Sequence, residues 1–380
     1  MNWLDRCRGW LGLPPYRRGP YLQHLRPDGL TVCWRTGDDS PPRLWLRGED
    51  EALARAVEGV RAGKERRVSL GGLTPGARYR YRLSEDDPER CFRFPDADAE
   101  RFTFCAVGDH GRSCAAQRRV IAALRTREPA FVLSLGDVCY PRLSDWRLDV
   151  NLFRPFADLM AETVLWPAIG NHDFQHVAAR PLLAAVEVPG NGPPGLPRGR
   201  GGYAFDFGAA HFAVINSAER RELVTDVLPW LDADLESAAA PWKIVVSHHP
   251  PYSSGRYGNH RRLIERMVPL LQARGVQLVL SGHDHAYERL RPAPGPTYVV
   301  CGTGGGRLYK RRGKRAGALA RINRTHGALE ATVAPASLTL RFLDVAGRIL
   351  DEMELRPSAA DEDGEGGIRT RDRANNPMTV

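Results

Sequence analysis

The sequence predicts an α/β layered domain preceded by a small all-β sandwich, and two patterns carry that expectation. From Phe102 onward short apolar strands alternate with helical stretches. "RFTFCAVGD" and "PAFVLSLGD" each run into Gly-Asp, with the helical "SCAAQRRVIAALRTRE" between them. Buried strands alternating with helices imply a layered α/β fold. Upstream, from Gly19 to about Pro95, apolar and polar residues alternate in "GLTVCWRT" and "PPRLWLRG", and a Pro-Gly turn precedes another such run in "GLTPGARYRYRLSE". Period-two alternation interrupted by turns is the pattern of an antiparallel sandwich.

The elements follow in order. Residues 1–18 lack clear periodicity and are expected to form an extension, and residues 19–97 the sandwich. After the polar "DADAERF" the second domain is expected over 100–356. Its first two strands are followed by "TVLWPAIGNHD", "PWKIVVSHH" and "VQLVLSGHDH", three further apolar runs that end in polar groups. "PGNGPPGLPRGRGG" reads as an irregular loop, "YAFDFGAAHFAVINS" as two strands joined by a turn, and "GRLYKRRGKR" as a basic loop. "GALEATVAPASLTLRFLDVAGRILDEMEL" returns to strands, expected to complete the second sheet. Residues 357–380 have few apolar side chains and are expected to be disordered.

Composition narrows the class. With 380 residues, 42% hydrophobic and 26% charged, the chain has material for two domains and a sizeable core. No apolar run approaches the roughly 18 residues of a membrane helix, so no membrane partner is expected. Asp5, Arg6 and Arg8 stand where a signal peptide would be apolar. A cytoplasmic location is therefore expected, and a secreted one only if the true start differs. The net charge of +9 comes almost wholly from arginine and favours anionic substrates. The arginines are scattered and no nucleic-acid module accompanies them, so no nucleic acid is expected as partner. Seven cysteines show no C-x-x-C pair; a Cys33–Cys91 bridge is set against reduced thiols, the favoured reading.

Five strand ends carry the chemistry: "GDHG" at 108–111, "GDVCY" at 136–140, "GNHD" at 170–173, "VVSH" at 245–248 and "GHDH" at 282–285. Catalytic groups in α/β folds collect at the carboxyl ends of strands. The donors are oxygens and imidazole nitrogens without thiolates, a set suited to two cations of the Fe, Mn or Zn kind. Asp137 is the natural bridge, since one carboxylate offers an oxygen to each ion. Such a pair lowers the pKa of bound water and stabilises both oxygens of a phosphoryl displacement.

These five blocks, in this order, resemble the calcineurin-like metallophosphoesterases, and Tyr140 narrows the resemblance to the purple acid phosphatases. "HHPPYSSGRYGNH" and "LSGHDHAYER" are similar to the same family, and "LTPGARYRYRL" resembles its fibronectin-type-III-like domain. The resemblance implies two mixed β-sheets flanked by helices, a four-layer sandwich. It implies one site of Asp109, Asp137, Tyr140 and His285 holding ferric iron. A second, of Asp137, Asn171, His248 and His283, would hold Fe(II), Zn or Mn. His172 would stabilise the transition state or protonate the leaving alkoxide, with Asp173 orienting it. The implied activity is hydrolysis of small phosphate monoesters by metal-bound hydroxide. The alternatives are a phosphodiesterase on the same core and a binding protein with a vestigial site.

Other residues read more plainly. Tyr140 is also of a kind that merely packs at strand ends. His260 stands between a substrate contact and an ordinary loop residue, since its spacing differs from plant-type members. Tyr252 and Tyr257 are equally pocket or loop aromatics. His249 is expected to turn away from the metal, and "CGTGGGRLYK" to form a tight turn at the site's rim rather than a phosphate loop, as it lacks the Gly-Lys-Ser/Thr ending.

Overall fold

The computed structural model describes residues 16–37, 39–292, 294–309 and 317–357. The expected tail from Ser358, most of the expected N-terminal extension, and Lys310, Arg311 and Arg312 of the basic loop lie outside them. Among the described residues no helix is long and apolar enough to cross a membrane.

The alternating segments form eight strands: β1 (Tyr16–Arg26), β2 (Gly29–Thr36), β3 (Arg43–Gly48), β4 (Arg55–Glu58), β5 (Val60–Ala62), β6 (Glu65–Gly71), β7 (Arg78–Arg82) and β8 (Arg90–Arg93). They make two sheets ordered β1-β2-β6-β5 and β4-β3-β7-β8, antiparallel throughout. These sheets form a separate all-β domain. Tyr79 and Tyr81 of β7 point inward while Arg80 and Arg82 between and beyond them do not, the alternation one buried face requires. The first strand begins at Tyr16, ahead of the expected Gly19, so residues 16–18 are not tail.

Two mixed sheets follow. The first holds β9 (Phe102–Val107), β10 (Phe131–Ser134), β11 (Val164–Pro167), β19 (Gly327–Ala334), β20 (Ser337–Asp344) and β21 (Ile349–Leu355), in the order β11-β10-β9-β19-β20-β21. The second holds β12 (Gly202–Phe207), β13 (Ala210–Ile215), β14 (Trp242–Ser247), β15 (Leu278–Ser281), β16 (Tyr287–Leu290), β17 (Thr297–Cys301) and β18 (Ala318–Ile322), in the order β12-β13-β14-β15-β17-β16-β18. β9, β10 and β11 are parallel, as are β13, β14, β15 and β17. Every residue of β10, β11 and β15 is buried, as strands covered on both faces must be. The last three strands extend the first sheet and not the second, because β19 pairs antiparallel with β9.

The sheets face one another through aromatic rings: Phe104 of β9 meets Phe212 of β13 edge-on at 5.3 Å, and Trp166 of β11 stacks on Phe205 of β12 at 4.5 Å. On the outer face, helix α1 (Ala115–Arg125) buries Gln117, Val120, Ile121 and Leu124, a stripe at helical spacing. The all-β domain is bolted to this body. Tyr21 and Tyr81 hydroxyls donate to the carbonyls of Ala185 and Ala161 at 2.7 and 2.9 Å. Buried Arg18 reaches Glu65 in its own domain at 2.7 Å and Asp149 in the other at 2.6 Å.

Candidate metal centre

The parallel strands of both sheets end at one edge, and the loops leaving them hold the predicted donors. Asp109, Asp137 and His283 sit there with φ of 58°, 56° and 68°. A non-glycine residue in this region costs about 1–3 kcal/mol and persists only where its surroundings fix it. Glycines let the loops close: a Cβ on Gly170 would overlap the Asp137 carboxylate, and one on Gly306 would come within 2.5 Å of the His285 ring. Gly306 also donates its amide to the Asp109 carbonyl at 2.8 Å. "CGTGGG" is thus a turn packed beneath two predicted ligands.

Ligand atoms of Asp109, Asp137 and His248 lie within 4.8 Å of one another, as do those of His248, His249 and His283. The Tyr140 hydroxyl donates to Asp109 Oδ1 at 2.8 Å and lies 3.1 Å from His285 Nε2. His285 Nε2 is 3.3 Å from Asp109 Oδ1. On the other side His248 Nε2 is 3.4 Å from Asp137 Oδ2 and 3.2 Å from Asn171 Oδ1. The two predicted half-sites therefore form one cluster, with Asp109, Tyr140 and His285 at one end and Asn171, His248 and His283 at the other.

The chemistry of the cluster fits bound cations. His248 Nδ1–H donates to the Leu135 carbonyl and His285 Nδ1–H to that of Arg307, both at 2.8 Å. A carbonyl only accepts, so each Nδ1 carries a proton and Nε2 is the nitrogen left facing the cluster, the arrangement of metal-ligating histidines once a cation displaces any Nε2 proton. Asp109 and Asp137 are 0% and 2% exposed, and among the described residues neither pairs with an arginine or lysine. Burying such charges without a cation is costly. Protons partly fill the gap: burial lowers His248, but Asp137 outweighs it and holds the imidazole at about 10. Burial and the neighbouring His248 charge push His283 down to about 3, leaving its lone pair free. Burial pushes the Cys139 thiol up, so it stays an un-ionised neighbour.

The calcineurin-like phosphoesterase family profile matches residues 102–287, which span all five loops. This chain carries a calcineurin-like phosphoesterase domain. Its relatives are purple acid phosphatases. Purple acid phosphatase 18 of Arabidopsis thaliana is 27% identical over 308 residues, covering 73% of this chain and 69% of its own length. Purple acid phosphatase 21 of the same plant is 28% identical over 265 residues, 65% of this chain and 59% of its own length. The chain thus spans about three-fifths to seven-tenths of these relatives. Among solved structures, the purple acid phosphatase PPD1 of yellow lupin (Lupinus luteus) shares the fold, with a TM-score of 0.75 over 90% of this chain and 75% of that one at 17% identity.

The remaining predicted residues of the phosphoesterase domain fall in three places. His172 is at the cluster: its ring lies 4.6 Å from that of Tyr140, Nε2 is 4.0 Å from Asp137 Oδ2, and Nδ1–H donates to the Pro141 carbonyl at 2.5 Å. Asp173 does not orient it. The Asp173 carboxylate accepts from the amides of Val138 and Cys139 at 3.2 Å and of Gly170 at 3.0 Å, tying two ligand loops together. These three amides satisfy it, and the Pro141 carbonyl holds His172 instead. His260 is further out, 5.7 Å ring to ring from His249, and accepts from the Leu263 amide through Nδ1.

Several groups outside the expected ligand set also meet the cluster. His249 turns towards the cluster, its ring 4.5 Å from that of His283 and its Nδ1 3.0 Å from Ser217 Oγ. Tyr257 stacks on His283 and Tyr309 on His285, each at 4.2 Å. Asp284 holds the Tyr257 loop by accepting from Ser253 Oγ at 2.5 Å and the Arg256 amide at 2.8 Å. Asp284 was legible as part of "GHDH"; nothing nearby marked Tyr309.

Proposed function

We propose that this protein is a dinuclear-metal phosphohydrolase acting on phosphate monoesters. The observation that carries the proposal is the pair of buried carboxylates, Asp109 and Asp137, ringed by imidazoles, a phenol and an amide and lacking any fixed cation among the described residues. Asp109, Asp137, Tyr140 and His285 are proposed to hold one ion and Asp137, Asn171, His248 and His283 the other. The phenol of Tyr140 suits a ferric ion, and the neutral Asn171 side a divalent Fe, Zn or Mn. When bound, such a pair supplies a nucleophile from water at neutral pH and neutralises phosphate oxygens.

The chain's own groups do the rest. His172, with Nδ1 committed to Pro141, turns Nε2 towards the cluster and in its protonated form can donate to a departing alkoxide. Asp173 positions rather than reacts, and His260 is proposed to contact substrate at the outer edge. Domain boundaries near 97 and 100 are proposed where β8 gives way to β9.

The test is hydrolysis of an aryl phosphate monoester and the matching diester by metal-loaded protein. We expect a monoester preference, and a fall of about a thousandfold or more in kcat for Asp137→Asn. A diester preference would replace the phosphatase reading with a phosphodiesterase one. Unchanged turnover in Asp137→Asn would overturn the site itself.

A further inference from the structure

A cavity of about 850 Å³ opens beside the metal cluster, lined by Asn171 and His249 at one end and by the 217–223 segment, His260 and Arg262 towards solvent. It adjoins Asn171, so a phosphate seated at the cluster would extend its ester group into this space. The apolar contribution to the lining is small, from Phe174, Ala218 and Leu223. Three arginines, Arg220, Arg221 and Arg262, line it and are exposed.

No carboxylate of the described residues forms an ion pair with them, although Glu222 feels the charge of Arg221. The acidic residue of the lining, Glu219, is taken by Arg200 at 2.9 Å, and Glu222 lies 3.8 Å from the same guanidinium. Arg262 Nη1 donates to the Arg220 carbonyl at 2.7 Å, a contact that leaves its charge free. Among the described residues none of the three arginines pairs with a carboxylate. The neighbouring His260 is held below its ordinary value by burial, with Arg220 and Arg262 pushing the same way. A pocket walled by three exposed guanidiniums without carboxylate partners among the described residues is suited to an anion, and guanidinium forks match phosphate oxygens.

We propose that Arg220, Arg221 and Arg262 select phosphate esters whose leaving group bears a second phosphate. The inference rests on the phosphohydrolase reading above, which assigns one phosphate to the cluster. The second phosphate occupies the arginine wall, and a neutral leaving group leaves that wall to water.

The test is calorimetric binding of two non-hydrolysable probes, propylphosphonate and propane-1,3-bisphosphonate, to the manganese-loaded protein. Hydrolysis of 4-nitrophenyl phosphate is recorded in parallel. Charge-assisted contacts of this kind lead us to expect about tenfold tighter binding of the bisphosphonate. In R220Q/R221Q/R262Q that preference should shrink to about twofold or less, and Arg221→Glu alone should move it the same way. Equal affinity for the two probes in the wild type, or a preference that survives in the triple variant, overturns the inference while 4-nitrophenyl phosphate turnover leaves the phosphohydrolase reading standing. Absence of both turnover and phosphonate binding would remove that reading and this inference together.

Discussion

Two clusters of charge in this molecule, each built around buried groups, are neutralised by different means. At the domain interface, Glu65, Asp145 and Asp149 meet Arg18 and Arg35: Arg18 reaches all three carboxylates and Arg35 reaches Glu65 and Asp145, at 2.5–3.1 Å. At the strand ends, Asp109 and Asp137 meet only imidazoles, a phenol and backbone amides among the described residues. The first group carries its own cations and is complete. The second, on the reading proposed above, is completed by bound cations. Burial alone therefore does not mark a functional site; buried carboxylates that lack a permanent partner do.

The contrast can be broken at the interface first. Arg18→Met removes the cation between Glu65 and Asp149, leaving Glu65 with Arg35 as its remaining arginine and Asp149 without its arginine. Losing one partner of a buried pair costs about 3–5 kcal/mol, so urea denaturation should show a loss of that size. A loss below about 1 kcal/mol, the worth of a surface pair, would show that the interface pairing is incidental.

Asp173→Asn sharpens the contrast within the site. Its carboxylate serves three amides and not His172, so the variant should lose about 1–2 kcal/mol of stability. The pH profile of turnover, if His172 sets its acidic or basic limb, should keep its shape. A displaced limb with unchanged stability would restore Asp173 as the partner of His172.

The smallest effect is expected at His211, a third buried charge that carries its own counterions. Burial lowers its pKa, but hydrogen bonds to Asp206 and Asp234 at 2.7 and 2.8 Å outweigh it and raise the imidazole to about 9. The folded value lies above the ordinary one near 6.5. The stabilisation is thus fully present below about pH 6.5 and is lost as pH rises through about 9. His211→Gln should cost about 1 kcal/mol at pH 6 and nearly nothing at pH 10. A cost independent of pH would mean that packing rather than charge is what the residue supplies.

How much of this was legible in the sequence follows from the range of each interaction. The cluster could be read because every predicted ligand sits at or just after the end of an apolar strand, where sequence order and spatial order coincide. The second domain's two layers were readable for the same reason. The placement of β19 was not: its partner β9 lies more than two hundred residues earlier, and an antiparallel strand suits either sheet. His249 was misread because neighbouring side chains on a strand diverge, whereas past Ser247 the backbone bends and both imidazoles face the cluster. Asp173 was misread because its partners include amides of the loop at 138–139, and backbone donors leave no trace in composition. Arg18 looked like part of a tail, since its carboxylates are 47 and 131 residues away.

The central claim is that Asp109 and Asp137 are buried to hold cations. The most direct test is the metal content of the purified chain, measured by plasma mass spectrometry after equilibration with manganese and desalting, for the wild type and Asp137→Asn. Two ions per wild-type chain and at most one in the variant are predicted. A wild-type chain that retains none, with Asp109 and Asp137 intact, would contradict the account.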